Sequence, residues 1–198
     1  MKLAILDRDG TLNGAGESFL QAPESWVALP GALEAVARLN RGGWHVVLAT
    51  NQPGLGLGEV GMSELNALHA RMHRALAAAG ARIEAVFYCP HAPGEGCGCR
   101  APAPGLMRQI AERYGAESHE TWVIGSCAEH LQAGAHLGAH LHLVCARTAG
   151  GGPLSPEFPP QVRAHASLAE LVASLLPAEP LPPPSPPGAH SKPRRTAC

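Results

Sequence analysis

The chain has 198 residues, of which 45 % are hydrophobic and 16 % are charged, and its formal net charge at pH 7 is −1. This composition predicts a globular protein with a core of its own, and the near-neutral charge argues against a general nucleic-acid binder. No apolar run reaches the roughly 18 residues of a membrane span, and the N-terminus lacks a secretory signal pattern, so we expect a cytoplasmic protein. We also expect a monomer without nucleic-acid or membrane partners.

Predicted strands and helices alternate along the chain. Short apolar runs predict strands at 3–7, 44–49, 83–88, 121–124 and 141–145. Helical spacing of apolar residues predicts helices at 30–42, at 63–79 with Ser63 as the cap, and at 106–114, 129–137 and 167–176. The alternation predicts an α/β fold with a doubly wound, mostly parallel sheet, and no insertion is long enough for a separate cap domain. We assign this domain to residues 1–176 and expect the proline-rich residues 177–198 to be a disordered tail.

The first strand ends in the only two aspartates of the chain, Asp7 and Asp9. Gly10 and Thr11 follow them, which favours a sharp turn. Residues two apart on a strand share a side of it, and ligands of open α/β sheets bind at the carboxyl ends of the strands. Two close carboxylates repel each other unless a cation lies between them, and hard oxygen ligands suit Mg²⁺. The alternative is a solvated turn after a core strand.

The second predicted strand is followed by Thr50, Asn51 and Gln52. This is the same edge of the sheet as that of Asp7, so a hydroxyl and two amides are offered there to a phosphate oxygen. A helix-capping threonine in a turn is the alternative for Thr50.

The loop after the third strand carries Cys89, His91, Cys97 and Cys99. Three thiols and one imidazole within eleven residues form a suitable tetrahedral zinc set, and four protein ligands indicate a structural rather than a catalytic ion. The alternative is a group of free thiols in a flexible loop. Because a cytoplasmic chain rarely forms disulfides, we expect zinc to rigidify a loop with little apolar content.

These motifs together resemble those of the haloacid dehalogenase superfamily of phosphatases. The zinc loop and the missing cap narrow the resemblance to the D-glycero-D-manno-heptose 1,7-bisphosphate 7-phosphatases, with the histidinol-phosphate phosphatases as near relatives. The resemblance covers roughly residues 1–150 and rests on four stretches: Leu6-Asp7-Arg8-Asp9-Gly10-Thr11-Leu12-Asn13, Thr50-Asn51-Gln52, Tyr88-Cys89-Pro90-His91 and Cys99-Arg100.

The resemblance implies a role for each motif residue. It implies that Asp7 is the nucleophile that becomes a phospho-aspartate, and that Asp9 is the general acid and base. Both residues are implied ligands of Mg²⁺. Thr50 is implied to hold the transferred phosphoryl group. Asn51, Gln52 and Arg100 are implied to contact the substrate, a phosphorylated small molecule.

Two elements of the family pattern are missing. The family has a lysine where this chain has Ala101, and a metal-binding aspartate after the fourth strand where this chain has Ser126. The chain has no third aspartate, and its only lysines are Lys2 and Lys192. Glu129 is the substitute that we predict for the missing Mg²⁺ ligand.

These departures leave more than one function open. The main prediction is a Mg²⁺-dependent phosphatase of a sugar bisphosphate, with activity impaired by the two replacements. The alternatives are a catalytically inactive binding or regulatory protein on the same scaffold and a histidinol-phosphate phosphatase. His130 and His136, on the helix after the fourth strand, are expected to be solvated or capping residues.

Overall fold

A six-stranded sheet, in which all strands are parallel, organises the chain. The structure is a computed structural model that describes residues 1–14, 26–146 and 154–176. The strands lie in the order β3-β2-β1-β4-β5-β6. Their bounds are β1 Leu3–Leu6, β2 His45–Asn51, β3 Ala85–Cys89, β4 Thr121–Gly125, β5 His140–Val144 and β6 Arg163–His165. The predicted α/β fold with a doubly wound parallel sheet is therefore confirmed.

Six α-helices accompany the sheet within the described ranges: α1 Ala32–Arg41, α2 Pro53–Gly56, α3 Met62–Ala78, α4 Gly105–Tyr114, α5 Ala128–Ala135 and α6 Leu168–Leu175. The prediction of Ser63 as a helix cap was wrong, because α3 begins at Met62 and Gly61 is its N-cap. The Glu64 carboxylate accepts the Gly61 N–H at 2.6 Å, and this contact fixes the earlier start.

Helices cover both faces of the sheet. Successive residues of β1 point to opposite faces, so Ala4 and Leu6 pack in one core with residues of α1, α3 and α6. Leu3 and Ile5 pack in a second core with residues of α4 and α5. All four side chains are fully buried, which explains why the strand reads as a continuous apolar run.

The strand order reverses between β1 and β4, and this reversal positions the candidate site. From β1 the chain continues to β2 and β3 on one side, whereas β4, β5 and β6 lie on the other. A crevice opens at the carboxyl ends of strands at such a switch point. Asp7 follows β1, Thr50 lies near the end of β2, and Ser126 follows β4.

Two predictions concern parts of the chain beyond the sheet. The predicted tail at 177–198 lies outside the described residues, so the proposed domain boundaries stay a prediction. Across the described ranges, no helix has the length and apolar character to cross a membrane.

Candidate active site

A cavity of about 150 Å³ lies at the carboxyl edge of the sheet. It is lined by both aspartates, the end of β2, the loop before α4, helices α4 and α5, and the residue that precedes α5. The lining residues are Asp7, Asp9, Ala49, Thr50, Asn51, Cys99, Ala101, Ala103, Leu106, Met107, Cys127, His130 and Ala133. Among these lining residues there is no lysine or arginine, so the cavity is acidic at one end and apolar along its walls.

Asp7 is buried where β1 ends, with 7 % of its surface exposed. Its N–H donates to the Ile124 carbonyl at 3.0 Å, which ties it to β4. Burial raises the pKa of its carboxyl from 3.8 to about 7, and the nearby Asp9 charge adds to the rise. Oδ1 is inaccessible and has no hydrogen-bond partner within the described residues. A buried carboxylate oxygen without a partner is an acceptor available to a cation or to an incoming group.

Ser126 contacts both aspartates from the end of β4. Its N–H donates to Asp7 Oδ2 at 2.9 Å, and its hydroxyl lies 3.3 Å from the same oxygen. The hydroxyl also lies 2.9 Å from the backbone carbonyl oxygen of Asp9. A carboxylate oxygen, a carbonyl oxygen and a hydroxyl thus converge, and this is a donor set of hard oxygens that suits Mg²⁺.

Asp9 is held on the cavity edge by its neighbours in the turn. The Arg8 guanidinium binds both carboxylate oxygens, with Nε 3.0 Å from Oδ1 and Nη2 2.9 Å from Oδ2. Asn13 Nδ2 also donates to Oδ1, at 2.9 Å. Because β1 ends at Leu6, strand alternation does not bring the two aspartates together as predicted. A turn in which Gly10 has a φ of 84° does so.

Thr50 and Asn51 lie in the last two positions of β2, and both line the cavity. Gln52 is 4 % exposed and donates from Nε2 to Thr50 Oγ1 at 3.0 Å, so it lies behind Thr50 and orients that hydroxyl. Asn51 binds the backbone of Ala101 with both amide atoms. Its Oδ1 accepts the Ala101 N–H at 3.1 Å, and its Nδ2 donates to the Ala101 carbonyl at 3.3 Å.

The four predicted zinc ligands come together next to the cavity. The ligand atoms of Cys89, His91, Cys97 and Cys99 all lie within 4.8 Å of one another. Cys89 Sγ lies 3.6 Å from Cys97 Sγ and 3.3 Å from Cys99 Sγ. A tetrahedral zinc ion with Zn–S bonds of about 2.3 Å separates its sulfur ligands by roughly 3.7 Å, so the cluster is able to hold such an ion. Cys99 is shared between this cluster and the cavity lining.

Two other predicted residues lie outside the lining. Arg100 Nη1 is 3.5 Å from the His91 carbonyl oxygen, so its side chain follows the loop that carries the four predicted zinc ligands. Glu129 is exposed in the first turn of α5. Neither is among the residues that line the cavity.

The prediction for His130 was wrong, whereas His136 is exposed as expected. His130 is 4 % exposed, and burial lowers its pKa from 6.5 to about 4. Its ring packs on Gly125, where an added Cβ would lie 2.6 Å from Cδ2. One available signal was Gly134, one helical turn later, which packs directly on Val123 and marks that side of α5 as inward-facing.

A parallel sheet with two carboxylates at its switch point is typical of α/β enzymes whose acidic site binds a cation. The chain belongs to the haloacid dehalogenase-like hydrolase family, whose model matches residues 15–138. The match begins after Asp7 and Asp9, so the geometry described above is what assigns these two residues to the site. The predicted family is confirmed.

The relatives are heptose bisphosphate phosphatases. The chain is 49 % identical over 144 residues to the D-glycero-beta-D-manno-heptose-1,7-bisphosphate 7-phosphatase of Bordetella bronchiseptica, covering 73 % of this chain and 80 % of that protein. It is 42 % identical over 144 residues to the enzyme of the same name from Pseudomonas putida, covering 73 % and 82 %. These names confirm the prediction of a phosphatase.

A solved structure of such an enzyme has the same fold. The D,D-heptose 1,7-bisphosphate phosphatase from B. bronchiseptica, complexed with magnesium and phosphate, superposes with a TM-score of 0.80 at 44 % identity. The match covers 88 % of this chain and 98 % of that one. Magnesium and phosphate are therefore ligands of a homologous structure.

Proposed function

We propose that this chain is a Mg²⁺-dependent phosphatase that hydrolyses a phosphomonoester of a sugar bisphosphate of the D-glycero-D-manno-heptose 1,7-bisphosphate type. The observation that carries the proposal is the position of Asp7. It is a buried carboxylate at the switch point, with one oxygen fixed by Ser126 and the other without a partner. The names of the relatives support the substrate class.

The reaction proceeds in two steps. Asp7 attacks phosphorus, the bond from phosphorus to the leaving oxygen breaks, and Asp9 gives that oxygen its proton. Water then attacks the phospho-aspartate while Asp9 takes a proton from it, which releases phosphate and restores Asp7. Thr50, oriented by Gln52, donates its hydroxyl to a phosphoryl oxygen.

Each of the two metals has a separate place in this proposal. Asp7 and the carbonyl of Asp9 would hold Mg²⁺, with the Ser126 hydroxyl beside them, and an ion held there would offset negative charge on the phosphoryl group. Glu129, although exposed, stays the predicted substitute ligand through water. The Cys89, His91, Cys97 and Cys99 cluster would hold a structural Zn²⁺ that fixes the wall of the cavity through Cys99.

The chain differs from the family pattern in the charge offered to the phosphate. Ala101 contributes only a methyl group to the cavity, and Ser126 is neutral. Losing one group that stabilises developing charge costs about 100- to 1,000-fold in rate. A slow phosphatase is therefore expected. The same two residues favour the second candidate, a binding protein without turnover.

Phosphate release in the presence of Mg²⁺ separates these functions. We expect wild type to release phosphate from heptose 1,7-bisphosphate and Asp7→Asn to release none above background. Preference for histidinol phosphate would assign the alternative substrate. Equal background from both proteins, together with binding of the bisphosphate, would support the non-catalytic function. Ala101→Lys combined with Ser126→Asp should raise turnover by about 1,000-fold or more if the two replacements are what limits the rate.

A further inference from the structure

Helix α3 is connected to the cavity indirectly, by a series of side-chain contacts that ends at Asp9. His69, on α3, lies with Nε2 3.4 Å from Arg8 Nη1. The other guanidinium nitrogens of Arg8 hold Asp9, at 3.0 and 2.9 Å. His69 and Asp9 therefore contact the same guanidinium group from opposite sides, although 60 residues separate them along the chain.

Arg8 cannot obtain its partners from solvent. It is 1 % exposed and is the largest of the fully buried side chains. A guanidinium carries donors only, and a buried donor that loses its acceptor pays the full cost of desolvation. The geometry of the planar fork means that a shift at Nη1 is transmitted to Nε and Nη2.

His69 has the protonation state that this contact requires. Burial, followed by the charge of Arg8, lowers its pKa from 6.5 to about 4. The imidazole is therefore neutral at physiological pH, with Nε2 as the acceptor for Arg8 and the ring proton on Nδ1.

A second route connects the same helix to the same carboxylate. Arg71 Nε donates to the Trp26 carbonyl at 3.1 Å, and Trp26 Nε1 donates to Asn13 Oδ1 at 3.0 Å. Asn13 in turn donates to Asp9 Oδ1 at 2.9 Å. Two routes from one helix therefore converge on Asp9.

We propose that His69 is a positioning residue that fixes Arg8 and, through it, the carboxylate of Asp9 that protonates the leaving group. The inference rests on the proposed function, because it assigns the general acid to Asp9. It adds a residue outside the cavity to the machinery and makes α3 part of the site.

The leaving group gives a test that a general loss of structure would not mimic. A sugar alkoxide needs protonation as it leaves, whereas p-nitrophenolate does not. In His69→Leu we expect kcat for the sugar bisphosphate to fall about tenfold or more, because a displaced general acid loses part of a contribution of 100- to 10,000-fold. With p-nitrophenyl phosphate, kcat should change less than about threefold. His69→Gln, whose Oε1 is able to accept from Arg8 Nη1, should restore most of the loss.

His73→Leu is the matched control, since His73 is exposed on the same helix, one turn later, and should leave both rates unchanged. Equal losses on both substrates in His69→Leu, or no rescue by glutamine, would overturn the proposal. If wild type hydrolyses neither substrate, the proposed function has failed and crystal structures of wild type and His69→Leu decide the inference separately. Loss of the two contacts between Arg8 and Asp9 in the variant would support it, and their retention would overturn it.

Discussion

The N–H of Ser126 lies 2.9 Å from Oδ2 of Asp7, and this contact joins the ends of β4 and β1 beside the cavity. The Ser126 hydroxyl extends the contact to the Asp9 carbonyl. Any change at position 126 therefore acts on the oxygens proposed to bind Mg²⁺, at a place where the backbone is held by two neighbouring parallel strands.

Ser126→Asp should increase the affinity for Mg²⁺. The added carboxylate would join Asp7 and the Asp9 carbonyl as a third oxygen ligand, and a hard cation favours such a set. We expect the Mg²⁺ concentration for half-maximal phosphate release to fall about tenfold, which corresponds to about 1.4 kcal/mol. Magnesium titrations followed by phosphate release and by calorimetry measure this.

Ser126→Asn is the control for that substitution, because it has nearly the same shape without the charge. It should not gain affinity. In metal-free buffer Ser126→Asp should be less stable than Ser126→Asn, since an additional carboxylate then faces Asp7 and Asp9. An equal affinity for Mg²⁺ in the two variants would show that the cation does not bind at this position.

Asp7→Asn should stabilise the metal-free protein at high pH. Burial raises the pKa of Asp7 from 3.8 to about 7, so between these values the folded state keeps a proton that the unfolded state has lost. The folded state binds more protons there, and stability decreases as the pH rises from about 4 to about 7. Asparagine does not titrate, so at pH 8 the variant should gain at most about 4 kcal/mol.

Denaturant unfolding of both proteins at pH 5 and pH 8 measures this gain. Because the histidines are the same in both proteins, the difference isolates Asp7. The gain in the free energy of unfolding should be larger at pH 8 than at pH 5. It should shrink in saturating Mg²⁺, because the cation offsets the charge of Asp7 in wild type and the variant has no such charge. A gain that does not depend on pH would contradict the raised pKa.

Removal of one proposed zinc ligand should destabilise the wall of the cavity. Cys89 is fully buried at the end of β3, with Cys97, Cys99 and His91 around it. In Cys89→Ser we expect loss of the bound zinc, measured by elemental analysis, and a lower melting temperature. Because Cys99 lines the cavity, KM should rise as well. Cys145→Ser, at the position directly after β5, is the control and should retain zinc. Zinc retained in Cys89→Ser would contradict the proposed ligand set.

The sequence predicted those parts of the structure that depend on local patterns. β1 was evident because an apolar run precedes Asp7, and the Cys89–Cys99 loop was evident from its ligand spacing. β6 and α2 were not predicted, since three and four residues are too short to show periodicity. Their ends are set by neighbours in the fold.

The partners of the site residues were beyond sequence reasoning for a different reason. His69 and Arg8 are 61 positions apart, and no spacing rule connects a residue of α3 to the turn after β1. The burial of His130 depends on Gly125 leaving room for its ring. Gln52 was assigned to the substrate because it follows Thr50, whereas its side chain turns inward to that hydroxyl. Such contacts depend on tertiary packing that overrides local pattern.

Asn51 should fix the position of Ala101 in the wall of the cavity. Both amide atoms of Asn51 bind the Ala101 backbone, at 3.1 and 3.3 Å. In Asn51→Ala the two hydrogen bonds are lost, at a cost of about 1 to 2 kcal/mol, and we expect KM for the bisphosphate to rise. Amide hydrogen exchange measures the loss of these bonds, because the Ala101 N–H should exchange faster in the variant while the amides of β1 stay protected.

Two variants make that measurement specific. Asn51→Asp keeps an oxygen to accept the Ala101 N–H, so exchange at Ala101 should stay slow even though the donor to the Ala101 carbonyl is lost. Asn66→Ala, on the exposed side of α3, should leave both exchange and KM unchanged. If exchange at Ala101 is equally slow in wild type and Asn51→Ala, the loop is positioned by other contacts. A rise in KM with unchanged exchange would instead indicate that Asn51 acts on the substrate itself, as the sequence first suggested.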